Sequence, residues 1–383
     1  MKFVHLSDLH IGKRVGERSL IEEQKHILEQ ICGIIEKQKP DAVLIAGDVY
    51  DKNVPSAEAV MLFDDFLYKL SSLPGDVFII SGNHDSAERN AFGSRLMKKQ
   101  GIHLSPVYDG KIEPVTLHDE WGETDIYMIP FLKPTLVRHY LPEEEKERVN
   151  SYDSALREVV GQIDLNRNRR NVVLSHQFVT GSHRCDSEDI NVGGLDNVDS
   201  SVFADFDYVA LGHLHKPQDC QSERIRYCGS PLKYSFSEVD DKKSLTIVTL
   251  QEKGNIVREF IELPPLHDWH EVKGEYDRIT ARDFYYGTSL QEDFVRIVLT
   301  DENDIPDAVG KLRSIYHNLL ELRYDNRRTR AGNVIVTGQM EPAEKKPAEL
   351  FSELYEKQNA AGMTKVQKDY IEKMISRIWE DKA

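Results

Sequence analysis

The sequence predicts an α/β fold, on three observations. Short apolar runs of strand length recur along the chain, helical stretches separate the first three, and five of the runs end on polar residues able to bind metal. In an open α/β sheet the loops at the carboxyl ends of strands lie together, so residues far apart in sequence can converge there.

The first run is Phe3–Leu6 in MKFVHLSDLH, bounded by Ser7 and Asp8. It reads as a buried central strand that leads into a loop. Asp8 and His10 are two residues apart, which in extended chain puts both on one side, within reach of one ion. An Asp that caps the following segment is the plainer reading of Asp8. Ser19–Gln38 then reads as a helix, with Ile21, Ile27, Leu28, Ile31 and Ile34–Ile35 near helical spacing and Pro40 ending it.

Asp41–Ala46 (DAVLIA) is the second strand and ends in Gly47-Asp48, with Asp51 just beyond. Pro55–Leu73 is helical, with Val60, Phe63, Phe66, Leu67 and Leu70 on a broad stripe. Val77–Ile80 (VFII) runs into Ser81-Gly82-Asn83-His84-Asp85, and Ser86–Lys99, with Phe92, Leu96 and Met97, reads as a third helix. Stripes of this kind pack into a core.

Asp125–Pro130 reads as a strand, and Leu141–Asp164 as a charged connection entering a helix. Asn171–Leu174 leads to Ser175-His176, and Phe206–Leu211 leads to Gly212-His213-Leu214-His215. Between them Ser182–Asp199 is long and polar, with Gly193-Gly194. A loop of that length inside a domain is usually functional or mobile, and its neighbours place it at the border of the site.

Leu263-Pro264-Pro265 marks a domain boundary, because paired prolines stop helix and sheet alike. The expected organisation is a first domain over 1–263, a second over 266–340, and a linker with C-terminal helices over 341–383. In the second domain Trp269–Val272, Phe294–Leu299 and Leu319–Tyr324 read as strands and Ile305–Asn318 as a helix. Arg323, Arg327, Arg328 and Arg330 form the densest basic cluster. A solvated turn balanced by nearby carboxylates and a contact for phosphates or a partner both fit it. Glu341–Ala348 is a Pro- and charge-rich linker. Glu349–Gln358 and Met363–Trp379 follow as helices, with Leu350, Phe351, Leu354 and Tyr355 on one face and Val366, Tyr370, Met374, Ile375 and Ile378 on another.

The 383 residues carry 49 Lys+Arg against 65 Asp+Glu, a net charge of −16. That balance argues against a protein that coats nucleic acid, whose affinity rests on neutralising phosphates, but not against an enzyme that presents cations to DNA. Cys32, Cys185, Cys220 and Cys228 have no C-x-x-C spacing, so free thiols are expected. No run of about 18 apolar residues is present to span a membrane. Removing a leader of about 15–30 residues would remove Asp8 and His10, so a cytoplasmic chain is expected.

Phosphodiester cleavage needs a nucleophile at neutral pH, a clamp for developing charge and help for the leaving oxygen. Two metal ions about 3.5–4 Å apart supply all three. The carboxylates, imidazoles and asparagine amide at the five strand ends could supply the ligands of such a pair. Imidazole, carboxylate and amide oxygen together suit two Mn²⁺, with Fe²⁺ or Zn²⁺ as possible occupants and Mg²⁺ a poorer match. The absence of thiolates disfavours a structural zinc site. Asp51 and Asp85 are expected to orient the histidines or to cap the following helices.

Asp8-x-His10, Gly47-Asp48, Gly82-Asn83-His84-Asp85, Ser175-His176 and Gly212-His213-x-His215 resemble, in order and strand context, the five signatures of the calcineurin-like metallophosphoesterase superfamily. GDVYDKNVPSAEA (Gly47–Ala59), FDYVALGHLHKPQ (Phe206–Gln218) and YCGSPLKYSFSE (Tyr227–Glu238) are similar to its bacterial SbcD nuclease branch. The resemblance implies a four-layer metallophosphoesterase β-sandwich flanked by helices, with a small α/β capping domain and C-terminal helices. It implies that Asp8, His10 and His215 hold one ion, Asn83, His176 and His213 the other, and that Asp48 bridges them. It gives His84 the role of donating to the scissile phosphate or the leaving oxygen. It also implies a homodimer through the helices after the second and third strands, with Phe63, Phe66, Phe92 and Leu96 as candidate contacts. The SbcC-type ATPase partner, two copies with two of this chain, would be gripped by Leu350, Phe351, Leu354, Tyr355, Tyr370 and Met374, although those helices could instead pack back onto the capping domain. The implied activity is 3′→5′ exonuclease on double-stranded DNA ends and endonuclease on single strands and hairpins, for DNA repair at the nucleoid.

Protein Ser/Thr phosphatases share the scaffold but typically read GDxVDRG and GNHE, where this chain has Gly47-Asp48-Val49-Tyr50-Asp51-Lys52 and Gly82-Asn83-His84-Asp85. The alternative reading is a small-molecule or cyclic-nucleotide phosphodiesterase. Such enzymes usually stop near the end of the metal domain.

Overall fold

In a computed structural model the described residues are 1–179, 182, 186, 188, 197–332, 347–359 and 362–380. Most of the Ser182–Asp199 loop, the linker up to residue 346 and the side chain of Leu350 fall outside them. The chain divides into two compact units, Met1–Asp268 and Trp269–Ala383.

Two six-stranded sheets build the first unit. In one, Lys2–Leu6, Ala42–Ala46, Asp76–Ile80 and Ile102–Leu104 run parallel in that order, with Ser244–Leu250 antiparallel to Lys2–Leu6 on its other side and Ile256–Glu262 antiparallel to Ser244–Leu250 at the edge. In the other, Gly122–Ile129, Arg170–His176, Tyr208–Gly212 and Ser222–Tyr227 are parallel, with Val115–Asp119 and Gln218–Cys220 antiparallel at the edges.

The two-residue period of a strand decides which side chains meet between the sheets. Phe3, Ala42, Leu44, Phe78 and Ile80 from the first sheet share one core with Ile126, Met128, Val172, Leu174, Tyr208 and Ala210 from the second. Continuing that register past Val172 and Leu174 reaches His176, at the carboxyl end of its strand and fully buried. The alternate residues face outward. Val173, Val209 and Leu211 do so in the second sheet, under Leu156 and Val159 of the Tyr152–Gly161 helix.

Ile21–Gln38 and Ala57–Ser71 connect the first three parallel strands. Ser56 caps the second of these, its hydroxyl accepting from the Ala59 amide at 3.3 Å. The expected single helix over Ser86–Lys99 is instead three short pieces, Ala87–Asn90, Ser94–Met97 and Lys98–Gln100. Gly93, at φ +74°, breaks it in the left-handed region that suits glycine. Of the candidate dimer contacts, Phe63 and Phe66 are buried within the unit, Phe63 on the wall of a surface cavity, whereas Phe92 and Leu96 are 84% and 72% exposed.

The second unit holds a parallel three-stranded sheet, Trp269–Gly274, Phe294–Leu299 and Asn318–Tyr324, over a core that includes Val272, Ile297, Leu312 and Tyr316. The helix expected over Ile305–Asn318 shrinks to Ala308–Arg313, ended before Tyr316 turns its hydroxyl to donate to the Ile279 carbonyl at 2.6 Å. Each arginine of the basic cluster has a carboxylate partner: Arg323 has Glu321, Arg327 Glu302, Arg328 Asp304 and Arg330 Asp325. These pairs accord with the balanced-turn reading, and exposed pairs of this kind are worth at most about 1 kcal/mol each. Pro347–Asn359 and Lys365–Glu380 are helices on which Leu354 and Tyr370 are exposed and Phe351 and Met374 narrowly so; Tyr355 is half-buried. Among the described residues no helix is long and apolar enough to cross a membrane.

Candidate metal centre

The five strands that end on polar residues fall in two parallel sets whose carboxyl ends share one end of the sandwich. Past the strands the first two loops stay zipped together, with the Asp8 amide donating to the Gly47 carbonyl at 3.0 Å and the His10 amide to that of Asp48 at 2.9 Å. Asp8, His10, Asp48 and His213 all have positive φ, at 53°, 43°, 49° and 103°. A non-glycine residue there carries backbone strain of about 1–3 kcal/mol, which persists only where surroundings impose it, and such residues cluster at functional sites.

All seven candidate ligands come together. Nε2 of His10 lies 3.1 Å from Nε2 of His215, and Asp8 completes a group with them. Oδ1 of Asn83 lies 3.0 Å from both Nε2 of His176 and Nδ1 of His213. Asp48 stands between the two groups, its Oδ2 3.6 Å from His10 Nε2 and 3.3 Å from His176 Nε2. A carboxylate with an imidazole on each side is placed to bridge two cations.

The charge state of these groups follows from burial and neighbours. Burial pushes the His10 imidazole well below its usual range, leaving it neutral with one ring nitrogen's lone pair to share. Burial opposes ionisation of Asp48, but His176 and then His10 and His84 outweigh it and hold the carboxyl well below the usual range. Burial raises the Asp8 carboxyl despite His176 and His215. Among the described residues, none is a hydrogen-bond partner for the buried Nδ1 of His10. A buried set of imidazole, carboxylate and amide oxygens, without thiolate, fits a pair of borderline or hard divalent cations.

The glycines of the motifs are required by close approach. A Cβ on Gly82 would stand 2.1 Å from Oδ1 of Asp48, and one on Gly212 would stand 1.9 Å from the Ala46 carbonyl oxygen and 2.7 Å from Nδ1 of His176. His176 Nδ1 itself lies 2.8 Å from that same carbonyl, which fixes the proton on Nδ1 and leaves Nε2 for the centre.

His84 sits at the rim, half-buried, its amide donating to Oδ1 of Asp48 at 2.9 Å and its Nδ1 3.0 Å from the Asp51 carbonyl. Its Nε2 is 4.0 Å from Oδ2 of Asp48, so distance alone also allows it to share an ion with His10 and Asp48. Asp51 places Oδ1 3.8 Å from Nδ1 of His10 and 2.8 Å from Nζ of Lys13. Asp85 neither caps a helix nor reaches a histidine. It accepts from the amides of Val49, Tyr50 and Gly82 at 3.1, 3.0 and 2.9 Å, and so ties the Asp48 loop to the Asn83 loop. Burial, then Asp48, raises its carboxyl to about 6.

Several contributors carry no strand-end signal in the sequence. Tyr234 donates to the Leu9 carbonyl at 2.5 Å and packs edge-on against His10 and His215. Gln24, from the first helix, donates to the His10 carbonyl at 2.7 Å. Ser7 donates to Oδ2 of Asp8 at 2.5 Å, and the His213 amide donates to both Asp8 oxygens at 3.0 and 3.1 Å. Glu238 and Lys243 form a buried ion pair behind His215.

Comparison with known proteins places residues 1–217 with the calcineurin-like phosphoesterases, and residues 265–359 with the type 5 capsule protein repressor C-terminal domain. The SbcD subunit of the SbcCD nuclease of Staphylococcus epidermidis is 32% identical over 326 residues, 84% of this chain and 85% of that protein. The protein of the same name from Staphylococcus saprophyticus is 31% identical over 328 residues, 84% of each. The crystal structure of a dimetal phosphatase from Danio rerio aligns with 69% of this chain and 98% of its own at 13% identity and a TM-score of 0.43.

Proposed function

The chain belongs to the calcineurin-like phosphoesterase family, among the SbcD subunits of SbcCD nucleases, and from that premise we propose how its buried centre cleaves DNA. It is a metal-dependent phosphoesterase of the nuclease type. The observation that carries the reading is the convergence of seven donors from five loops with none replaced by a non-ligating residue.

Asp8, His10 and His215 would hold one cation and Asn83, His176 and His213 the other, with Asp48, between the two groups, serving both. When bound, two such ions supply an activated water and a clamp for the charge that develops on the phosphate. The protein's own groups do the rest. Asp8 is oriented by Ser7 and by the His213 amide, and Asp85 keeps the two loops in register. His84 faces outward beside Asp48. Its Nδ1 faces the Asp51 carbonyl, which leaves Nε2 to meet the substrate, where a donated hydrogen bond would stabilise charge that appears only in the transition state.

The finer reading is a homodimer joined to two SbcC-type ATPase subunits, loaded with Mn²⁺ in the cytoplasm at the nucleoid, with 3′→5′ exonuclease on duplex ends and endonuclease on hairpins. The C-terminal helices, with Phe351, Leu354, Tyr370 and Met374, present the apolar groups for the ATPase in a helix-in-groove contact. The test is incubation of the purified chain with end-labelled duplex and hairpin DNA in Mn²⁺, Mg²⁺ or chelator, with and without the ATPase. Cleavage in Mn²⁺ that chelator abolishes is expected. Intact DNA alongside hydrolysis of cyclic nucleotides would replace the reading with the small-molecule phosphodiesterase.

A further inference from the structure

Glu238 and Lys243 are a charged pair buried directly behind His215, and the function proposed above uses neither. Glu238 is wholly inaccessible and Lys243 nearly so. Nζ of Lys243 lies 2.6 Å from Oε2 of Glu238, donates to the His215 carbonyl at 2.7 Å and lies 3.1 Å from the Ser230 hydroxyl. Oε1 of Glu238 lies 3.9 Å from Nδ1 of His215, and accepts from the Ser235 hydroxyl at 3.0 Å and the Tyr234 amide at 3.3 Å. The other ring nitrogen, Nε2, is the one turned toward His10. The cation thus fixes the backbone of His215 and the anion faces the back of its ring.

A buried ion pair is a poor stabilising device. Removing two charges from water is costly, and apolar replacements of similar volume often match or exceed the pair. Stability therefore does not account for two charges at this spot, whereas their arrangement around one imidazole does. Histidine ligands characteristically present the nitrogen that does not bind metal to a carboxylate or carbonyl, which sets tautomer and orientation. His176 uses the Ala46 carbonyl for this.

We propose that Glu238 and Lys243 are a positioning pair that holds His215 with Nε2 in the centre and so sets the affinity of one of the two ions. The proposal rests on His215 being a ligand, as read above. Tyr234 and Ser235 hold the carboxylate itself, so the segment Leu232–Glu238 works as one support.

The test measures Mn²⁺ binding without DNA, by electron paramagnetic resonance of the free ion, alongside the melting of metal-free protein. The double variant Glu238→Gln/Lys243→Met removes both charges together and leaves neither unpaired. One ion is expected to bind about 10–100-fold more weakly and the other as in the parent, with metal-free melting little changed. On a His215→Gln background the same two substitutions should change nothing further, because no ring remains to orient. Parental affinity for both ions in the double variant overturns the proposal, as does an equal loss on the His215→Gln background. Should the metal-free double variant melt far below the parent, Glu238→Asp decides, since it keeps the charge pair and draws the carboxylate back from the ring. Parental affinity there also overturns it. A parent chain that binds no pair of ions would instead overturn the two-metal reading, and this proposal with it.

Discussion

Nε2 of His10 and Nε2 of His215 stand 3.1 Å apart across 205 residues of sequence. His10 is held neutral by burial, and its other nitrogen has no hydrogen-bond partner among the described residues. Two imidazoles that aim ring nitrogens at one point, beside Asp8 and Asp48, are arranged for a cation. Each loop is strained to bring them there, since Asp8, His10, Asp48 and His213 all sit at positive φ.

Loading the centre should therefore stabilise the fold. An ion bound only by the native state, at 100 times its dissociation constant, adds about 2.7 kcal/mol. For a unit of this size that raises the melting temperature by roughly 5–10 °C per ion. Calorimetry of the chelator-treated chain before and after addition of Mn²⁺ checks this, and identical melting curves would argue against a metal centre.

Gly82→Ala should damage the bridge before it damages the fold. The new Cβ falls 2.1 Å from Oδ1 of Asp48, the atom that also accepts from the His84 amide. Overpacking of this kind costs about 1–3 kcal/mol, and the displaced carboxylate serves both ions. Titration calorimetry is expected to show both ions weakened together, with a lowered melting temperature. Loss of one ion alone would mean that Asp48 is not shared.

His84→Ala separates catalysis from binding. The side chain lies at the rim, with Nδ1 3.0 Å from the Asp51 carbonyl and the ring edge-on to His10. Cleavage should fall by about 10²–10³-fold, as when a transition-state donor is removed, with Mn²⁺ and DNA affinity unchanged. Weaker Mn²⁺ binding in this variant would make His84 a ligand beside His10 and Asp48, the grouping that distance alone also permits.

The seven donors were legible because each follows a strand, and strands announce themselves by apolar runs bounded by glycine and polar residues. The supports were not legible. Tyr234, Glu238 and Lys243 act on a histidine at least 19 residues away through contacts that only the closed sandwich creates, and nothing in their local pattern marks them. Asp85 looked like a helix cap and proved to be a tie between loops, because Ser86 takes the capping position. The stretch Ser86–Lys99 carries a helical stripe, yet Gly93 turns left-handed and the stripe dissolves into separate turns. Helical periodicity was a faithful guide where no such residue interrupts, as in Ala57–Ser71.

In the homodimer proposed above, that interrupted stretch is the candidate contact. Val60, Phe63, Phe92 and Met97 line one apolar cavity, so the segment packs beside the Ala57–Ser71 helix, on which Met61 and Tyr68 are also exposed. Exposed apolar groups in such number mark an interaction surface more often than a monomer's ordinary exterior. Phe92→Glu/Leu96→Glu should convert a dimer to a monomer in sedimentation at micromolar concentration. It should shift stability by no more than about 0.5 kcal/mol per site, since neither side chain is buried in the chain itself. Phe66→Ala should instead cost about 3–5 kcal/mol in the folded chain, as a core truncation does. A parent chain that sediments as a monomer, or a double variant that still dimerises, would remove this face from consideration.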